Sequence, residues 1–354
     1  MQVAATAERL QAERIRVDDM SDAALVERYV ERHPEATAYH HPAWLQVIGR
    51  SFGHETRYLV ASAGDRVVGV LPVAFFASRL FGRFAVSLPF LNYGGIVADD
   101  DAAAQALLDA AIAGVGDRGG SHLELRHTTQ RFPALQARRH KVAMRLALEP
   151  TPDQQWTALD KKIRNQVRKA EKSGLQLAVG GAELLDGFYR VFARNMRDLG
   201  TPVYTRRFFA EVLSAFPQST RVVVVTLDRQ PIAASIVLWH RDTIEVPWAS
   251  AIRDFNPLCP NVLLYWGMLR FATERGFRIF DFGRSTPDEG TFHFKRQWGA
   301  EAAPLVWEHW SAAGAPVRDL SPHNPRFELA IKTWQRLPLR IATAVGPLIV
   351  RNLP

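Results

Sequence analysis

The stretches SFGHETRYLVASAGDRVVGVLPVAFF (51–76) and AFPQSTRVVVVTLDRQPIAASIVLWH (215–240) repeat one pattern within a chain of 354 residues. Each contains Phe-x-x-x-Thr-Arg, a β-rich run, a turn and a second apolar run, and each follows a helix-like stretch. The anchors Phe52 and Phe216 lie 164 positions apart. An interval of this length is typical of a duplicated domain and too long for a solenoid unit. The pattern therefore predicts two α/β domains in tandem.

The turns of the two hairpins give a second alignment. Asp65-Arg66 in the first copy corresponds to Asp228-Arg229 in the second, at an interval of 163 residues. Hairpins share turn signals, so chance similarity is the alternative explanation. The recurrence of helix, strand, turn and strand in the same order favours duplication.

The segments after the second hairpin indicate a parallel βαβ unit. The sequence predicts a strand at 243–250, a helix at 261–276 and a short buried strand at 277–283. Asn261 is the predicted N-cap of that helix, and Gly276 the residue just past its end. The first half echoes this order with a strand LPFLNYGGIV at 88–97, a helix over about 102–114 and a strand at 122–127. We expect domains at 15–150 and 151–315, and a basic tail at 316–354.

Composition limits the class of protein. Hydrophobic residues make up 47% and charged residues 23% of the chain, as in soluble globular proteins. The single cysteine, Cys259, excludes an internal disulfide framework and favours a reducing compartment. No apolar run reaches the roughly 20 residues that span a membrane, and the first residues carry charges where a signal peptide is apolar. We therefore expect a cytoplasmic protein, and the net charge of +8 predicts an anionic partner.

A basic helix is predicted at 156–174. Its apolar positions share one face and its basic positions another: Ile163, Val167 and Ala170 against Arg164, Arg168 and Lys172. Like charges at a spacing of four repel each other, which costs helix stability unless an anion binds. Phosphate binding is one interpretation of this pattern. The other is a solvated face, as most charged helix faces are.

The segment DFGRSTPDEGTFHFKRQWGAE (281–301) is the most unusual of the second half. We expect a buried strand that ends at Asp281, a turn at Gly283 and then a loop. Loops at the C-terminal ends of parallel strands carry reactive groups in α/β folds. Lys295, placed between aromatic residues, is suited to hold an anionic donor or to stabilise an oxyanion. The alternative is that the aromatic residues belong to the core and Lys295 is a solvated surface cation.

Several of these segments together resemble the FemAB family of the GNAT superfamily. The resemblance spans roughly 20–315 and rests on the run at 91–96, the block KKIRNQVRKA at 161–170, MRDLGTPVY at 196–204, EVPWAS at 245–250 and the block at 281–299. The subfamily that the chain is most similar to is the one associated with exosortase/PEP-CTERM systems and exopolysaccharide loci.

The resemblance implies two GNAT-like lobes facing a cleft, and a cytoplasmic enzyme that transfers an aminoacyl or acyl group to an amine. Family members take amino acids from aminoacyl-tRNA and add them to a cell-wall precursor peptide. By this likeness Lys295 and Asp281 are the expected catalytic residues, and Lys161, Arg164 and Arg168 lie near substrate phosphates. The other expected substrate-binding residues are Trp248, Ser250, Arg284 and Asp99.

One departure concerns the donor. GNAT members that use acetyl-CoA bind its pyrophosphate on backbone N–H groups of a Gly-rich loop before a helix. Here that junction, RDFNPLCPN at 253–261, has no glycine and two prolines, which lack an N–H. We therefore expect no tightly bound cofactor and a donor that is aminoacyl-tRNA or an acyl thioester. An enzyme dependent on acyl-CoA or acyl carrier protein, and a non-catalytic binding protein with the same fold, remain the alternatives.

The expected chemistry is direct attack by an amine on an activated ester or thioester. No Ser-His-Asp or Cys-His arrangement is evident, and the histidines lack metal-ligand spacing. Asp281 and Asp198 are the candidates for a general base.

The tail predicts a basic amphipathic helix at 326–337. Phe327, Ala330, Ile331, Trp334 and Leu337 share one face, and Pro338 ends the pattern. Such a helix either lies at the surface of an anionic membrane or packs on the body of the protein. We expect peripheral contact through 326–351 at the inner face of the cytoplasmic membrane, which suits a phosphorylated or lipid-linked precursor.

Overall fold

The computed structural model describes residues 15–78, 81–312 and 328–353. The chain forms two compact units. The first takes its described residues from Met1–Gly49, Gly53–Ala137 and Trp307–Val317, and the second from Arg50–Phe52, Arg138–Val306 and Arg318–Pro354. The chain passes from the first unit to the second at 137/138, because the strand that follows residue 138 pairs within the second sheet. It returns to the first unit at 306/307, where a strand joins the first sheet again. The boundaries predicted at 150 and 315 therefore differ from those of the two units.

The first unit is built on an eight-stranded sheet. Its strands are β1 (Arg16–Asp19), β2 (Glu55–Ala63), β3 (Arg66–Ser78), β4 (Gly82–Val86), β5 (Val97–Ala98), β6 (His122–His127), β7 (Gln136–Arg138) and β15 (Val306–Ser311). They lie in the order β1-β2-β3-β4-β6-β15-β7, with β5 beside β3. The helices are α1 (Ala23–Arg32), α2 (Ala43–Phe52) and α3 (Asp101–Asp117). The predicted helix over 102–114 is confirmed as α3, which begins where the Asp100 side chain accepts a hydrogen bond from Ala103 N.

The second unit is built on a seven-stranded sheet. Its strands are β8 (Val142–Ala147), β9 (Gln176–Gly180), β10 (Thr220–Leu227), β11 (Gln230–His240), β12 (Thr243–Ala251), β13 (Ile279–Ser285) and β14 (Glu301–Pro304), in the order β14-β8-β13-β12-β11-β10-β9. Its helices are α4 (Pro152–Ala158), α5 (Lys161–Lys172), α6 (Leu185–Leu199), α7 (Arg206–Ala215), α8 (Pro260–Glu274), α9 (Gly290–Arg296), α10 (Glu328–Gln335) and α11 (Leu339–Val350).

Helices cover both faces of the second sheet. The apolar stripe of α5, namely Ile163, Val167 and Ala170, joins α8 and strand residues such as Val223 and Val225 in one core. Because side chains alternate along a strand, Val224 points to the opposite face, where an added Cβ at Gly187 of α6 would lie 3.7 Å from its methyl groups. The sheet therefore has an α5/α8 face and an α6 face.

The two hairpins confirm the internal repeat and correct its alignment. In the first, Ala63 pairs with Arg66, so the turn residues are Gly64 and Asp65. In the second, Leu227 pairs with Gln230, so the turn residues are Asp228 and Arg229. The turns are thus 164 residues apart, like the anchors, and pairing Asp65-Arg66 with Asp228-Arg229 was wrong by one residue. The left-handed turn, with φ of 58° at Gly64 and 49° at Asp228, explains the offset, because Gly and Asp both tolerate this conformation.

Two further local predictions are wrong. The run 88–97 is not a strand: β4 ends at Val86, and Leu88 and Phe90 both have positive φ, of 43° and 70°, which no strand accommodates. Asn261 is not an N-cap, since α8 begins at Pro260 and Cys259 occupies the cap position with φ 61°. The end of that helix is as predicted, with Gly276 in the left-handed region at φ 75°.

The C-terminal helices pack on the second unit. An added Cβ at Gly200 would lie 2.5 Å from Cγ2 of Ile331, so α10 lies directly on the end of α6. Trp334 is buried, and Arg197 of α6 donates a hydrogen bond to Leu337 O at 3.0 Å. Of the apolar face predicted at 326–337, Ile331, Trp334 and Leu337 are turned toward the protein and Ala330 is exposed, while Phe327 lies outside the described residues. Within the described ranges no helix is long and apolar enough to cross a membrane.

Candidate functional site

Strands β12 and β13 of the second unit separate part-way along their length. They pair in parallel over three positions, from Thr243↔Ile279 to Glu245↔Asp281. Beyond this point β12 stays hydrogen-bonded to β11 as far as Ala251, and β13 stays bonded to β8 as far as Ser285. The strands therefore part between 246–251 and 282–285, and we call this gap in the hydrogen-bonded ladder the β12–β13 notch. The strand predicted to end at Asp281 continues through an irregularity between Asp281 and Arg284.

A cluster of buried charges lies where the strands part. Glu245 and Asp281 are register partners on adjacent strands, and both are buried. Asp281 is fixed on both carboxylate oxygens: Oδ2 accepts from Arg145 Nε at 3.0 Å and Oδ1 from Gly283 N at 2.8 Å. Gly283 has φ 74°, a conformation that favours glycine, so the Asp-Phe-Gly sequence is matched to this turn of the backbone. Asp281 is thus held to shape the notch, and is less suited to act as a mobile base.

Lys295 is the cation of this cluster. It lies in α9, is 7% exposed, and its Nζ donates to Gly283 O at 3.0 Å and to Arg284 O at 2.9 Å. Burial lowers the pKa of Lys295 to about 8, although the charges of Asp281 and Glu245 oppose the shift. The surface-cation interpretation is therefore wrong. An ammonium has three N–H donors, so two are used on the β13 backbone and one remains for another acceptor.

The β12 side of the notch carries Trp248 and Ser250. Trp248 is buried and meets the rings of Phe208 and Phe209 edge-on, with centroids 5.4 and 5.3 Å away. Its role in the structure is thus to hold α7 against the sheet. Ser250 Oγ accepts a hydrogen bond from Asn195 Nδ2 of α6 at 3.1 Å. Both residues lie on the strand that borders the notch, as their positions in the sequence predicted.

The corresponding place in the first unit is filled. Strands β4 and β6 pair in parallel over two positions, Ala85↔Leu123 and Val86↔Glu124. The segment 87–95 then follows β6: Ser87 Oγ accepts from Arg126 N at 2.9 Å, and Gly95 N donates to Arg126 O at 3.1 Å. The buried guanidinium of Arg126 also donates to Leu91 O at 3.1 Å. We call 87–95 the first-unit plug.

The Gly-Gly pair of the plug is explained by packing. Gly94 has φ 132°, and an added Cβ at Gly95 would lie 2.1 Å from Cδ2 of His127. The His127 ring cannot yield, because Nε2 accepts from Ile96 N at 2.9 Å and Nδ1 lies 2.6 Å from Oε2 of Glu308. The Tyr-Gly-Gly motif is therefore a structural feature of the first unit.

Comparison with known proteins agrees with this duplicated arrangement. Residues 158–296 match the model of the acetyltransferase (GNAT) domain. The solved structure of FemX is similar with a TM-score of 0.65 at 14% identity, over 83% of this chain and 96% of that chain. A tandem GNAT protein from the clavulanic acid biosynthesis pathway is similar with a TM-score of 0.54 at 13% identity, over 86% of this chain and all (100%) of that chain. The chain has a tandem GNAT fold of the FemAB type.

A further similar structure is the C-terminal domain of a putative lysylphosphatidylglycerol synthetase from Agrobacterium fabrum. Its TM-score is 0.56 at 11% identity, over 82% of this chain and 92% of that chain. By sequence, no curated protein matches the chain.

The expected phosphate-binding residues form a separate surface of the tandem GNAT fold. Lys161, Arg164 and Arg168 lie on α5, on the face of the sheet opposite to Asp281, because Phe280 and Phe282 share the α5/α8 core. Arg168 lies over the Trp156 ring at 5.4 Å. In the described part of the chain, Nε of Arg164 has no hydrogen-bond partner. A surface pocket of about 540 Å³ adjoins the same helix, lined by Asp160, Lys161, Lys162, Asn165, Gln166 and Lys169.

Asp99 lies in the first unit. Its Oδ1 accepts from the Tyr29 hydroxyl at 3.0 Å and lies 3.9 Å from His33 Nε2. Burial and the Asp99 charge raise the pKa of Tyr29, and burial lowers the pKa of His33. These residues line an open groove of about 900 Å³ with the arginines Arg28, Arg32 and Arg66.

The start of α8 offers few backbone donors to a phosphate. Pro260 has no N–H, and the N–H groups of Val262 and Leu263 both donate to Cys259 O, at 3.1 and 3.2 Å. The other candidate base, Asp198, is engaged by Arg197 at 2.6 Å and Arg194 at 3.9 Å. Within the described ranges, no group of three or more potential metal ligands is present.

Three polar residues near the β12–β13 notch were not predicted from the sequence: Glu245, Arg145 and Lys141. Glu245 stands as a lone acid in a strand of apolar residues, and this was the signal that could have found it. Arg145 lies in β8, whose pairing with β13 is not visible in the sequence. Lys141 donates to Thr286 Oγ1 at 2.5 Å, and burial beside Arg284 lowers its pKa.

Proposed function

We propose that the protein is an N-acyltransferase of the FemAB type, which transfers an aminoacyl or acyl group to an amine. The observation that carries the proposal is the buried Lys295 ammonium at the edge of the β12–β13 notch, with one N–H beyond those donated to Gly283 and Arg284. The GNAT domain match over 158–296 and the similarity to FemX support this class of reaction. The first-unit plug, which fills the equivalent opening, favours the second unit as the site of transfer.

In the proposed reaction, the neutral amine of the acceptor attacks the carbonyl carbon of the donor. The new C–N bond forms as the C–O or C–S bond of the donor breaks, and the proton lost by the amine passes to the leaving group. Lys295 donates its remaining N–H to the carbonyl oxygen as negative charge develops there. Asp281 and Arg145 hold the β13 backbone that positions Lys295, and Arg284 contributes positive charge at the same edge.

The proposed donor is aminoacyl-tRNA. Six of the twelve residues 161–172 are basic, and Lys161, Arg164 and Arg168 among them suit the phosphates of a nucleic acid backbone. The scarcity of free N–H groups at the start of α8 argues against a pyrophosphate held there. A second candidate donor is an acyl thioester on CoA or acyl carrier protein, which the acetyltransferase description of the matching domain favours.

The proposed acceptor is an amine on a phosphorylated or lipid-linked precursor of the cell envelope or of an exopolysaccharide. The net charge of +8 suits an anionic acceptor. The resemblance to the exosortase/PEP-CTERM-associated subfamily supports this class, and we propose that the enzyme acts in the cytoplasm at the inner face of the membrane. Asp99 is proposed to bind a polar group of the acceptor, while Trp248 and Ser250 shape the β12 wall.

The test is a transfer assay read by mass spectrometry, with amine acceptors offered charged tRNA, acyl-CoA or acyl carrier protein. We expect product with charged tRNA, reduced about 100-fold or more in Lys295→Met, since loss of one oxyanion donor costs 10²–10³ in turnover. Arg207→Met, at an exposed arginine of α7, is the matched control. Product with acyl-CoA and none with charged tRNA would show that the donor is acyl-CoA and not aminoacyl-tRNA. No product with any donor, from folded protein, would favour a non-catalytic binding protein.

A further inference from the structure

Helix α11 exposes a continuous apolar stripe. Ile341, Val345, Leu348 and Ile349 are 46%, 39%, 65% and 38% exposed, and their spacing of four, three and one places them on one helical face. The opposite face is fixed to the second unit by Ala342, Gly346 and Val350, which are buried. At Gly346 an added Cβ would lie 2.8 Å from Val203 N, so the helix sits against the backbone there and cannot rotate to hide the stripe.

Arg340 and Arg351, at the two ends of α11, border this stripe. Residues 328–353 contain Lys332, Arg336, Arg340 and Arg351, and their one acidic residue, Glu328, already pairs with Lys332 at 2.6 Å. The described C-terminal segment is thus strongly basic around an apolar centre. On α10, Leu329 is also exposed, at 77%.

We propose that α11 docks on the surface of an anionic lipid bilayer, with the four aliphatic side chains entering the interface and the arginines contacting lipid phosphates. A helix of 12 residues is about 18 Å long, which is too short to span a bilayer and suited to lie in its surface. This surface lies within the contact predicted at 326–351 and narrows it to α11, because the helix over 328–335 packs on the end of α6.

A second copy of the chain is the less suitable occupant. A two-fold contact through α11 would bring the same arginines of both copies together. Four partly exposed aliphatic residues also present well under the roughly 800 Å² per partner that stable interfaces bury. A bilayer bearing negative headgroups satisfies both the apolar stripe and its basic border. The docking is independent of the acyl donor and of the role of Lys295.

The experiment is co-sedimentation of the full chain with vesicles of phosphatidylcholine, with and without phosphatidylglycerol. We expect binding that requires phosphatidylglycerol and weakens with salt. The double variant Ile341→Ser/Leu348→Ser should lose about tenfold or more in partitioning, whereas Val179→Ser, at a similarly exposed residue of β9, should bind as wild type. Arg340→Gln should lose about fivefold, and Arg207→Gln, an exposed arginine of α7, should lose much less.

Equal binding to neutral and anionic vesicles would overturn the electrostatic part of the proposal. Unchanged binding by Ile341→Ser/Leu348→Ser would overturn the assignment to α11. Sedimentation velocity without vesicles tests the other occupant: a dimer that the double variant converts to monomer would show that the stripe is a contact between copies of this chain.

Discussion

The stability of the protein should depend on pH through Lys295, because the charged form of this buried lysine is less favourable in the folded protein than in water. The perturbation is Lys295→Met, which keeps the length of the side chain and removes the charge. Burial lowers the pKa of Lys295 from 10.5 to about 8. Between these two values the unfolded chain binds more protons than the native protein, so the stability of the wild type should rise with pH.

The size of the effect follows from the two pKa values. One pKa unit corresponds to about 1.4 kcal/mol, so the lysine charge destabilises the wild type by about 3 kcal/mol at pH 7. Most of this penalty is gone at pH 10, where the native lysine is neutral. The neutral amine keeps two N–H groups, enough for both carbonyl bonds to Gly283 and Arg284. The free energy of unfolding of the wild type should therefore gain about 2–3 kcal/mol from this group between pH 7 and pH 10.

The assay is urea unfolding of wild type and Lys295→Met at several pH values from 7 to 10. Other groups that titrate in this range contribute equally to both proteins and cancel in the difference. The difference in unfolding free energy should favour the wild type increasingly as pH rises. Lys162→Met, at an exposed lysine, should follow the wild-type curve. Parallel curves for wild type and Lys295→Met would refute the buried, destabilised ammonium.

Three other predictions concern the notch, the plug and α5. Asp281→Asn removes the partner of Arg145, so the free energy of unfolding should fall by about 2–3 kcal/mol in urea titrations. It also removes a charge that raises the pKa of Lys295, so the alkaline limb of the pH–rate profile should move to lower pH. Gly95→Ala forces a Cβ against His127 and should lower the free energy of unfolding by about 3 kcal/mol or more. The control Gly116→Ala in α3, where an added Cβ meets no atom of another element within 4 Å, should raise it by about 0.5–1 kcal/mol. Equal melting temperatures of the two variants would contradict the packing of Gly95 against His127. The triple change Lys161→Gln/Arg164→Gln/Arg168→Gln should lower the salt dependence of tRNA binding, with the slope of log K against log salt falling by about 2; an unchanged slope would exclude α5 as the nucleic acid surface.

The strands and helices of the repeat could be predicted from the sequence because their apolar periods are strong and local. The hairpins, α3, β6, β12 and α8 all fall close to their expected positions. The segment 88–97 could not, since its apolar residues look like a buried strand and nothing in Leu88 or Phe90 signals a positive φ. That conformation is imposed by the bonds to β6, which form only in the folded unit.

The sequence indicates which residues belong to the candidate site, but it does not indicate how they are arranged. The block at 281–301 pointed to Lys295 and Asp281, but the burial of Lys295 depends on the irregular pairing of β13 with β8, a strand more than 130 residues earlier in the chain. For the same reason Arg145 and Glu245 went unnoticed. The basic stripe of α5 was read correctly as a helix face, whereas its location across the sheet from Asp281 required the tertiary structure.

The first-unit plug also bears on how the two copies diverged. To reopen the first unit, a mutation would have to release Ser87, Leu91 and Gly95 from β6 together, because each is bonded to Arg126 and relief of one contact leaves the others in place. The Arg126 guanidinium also pairs with Glu124 Oε1 at 2.8 Å, which holds it in place when any one of the three contacts is lost. The two copies therefore differ at this place by several contacts made together, and a single substitution in the first copy is expected to leave the plug in place.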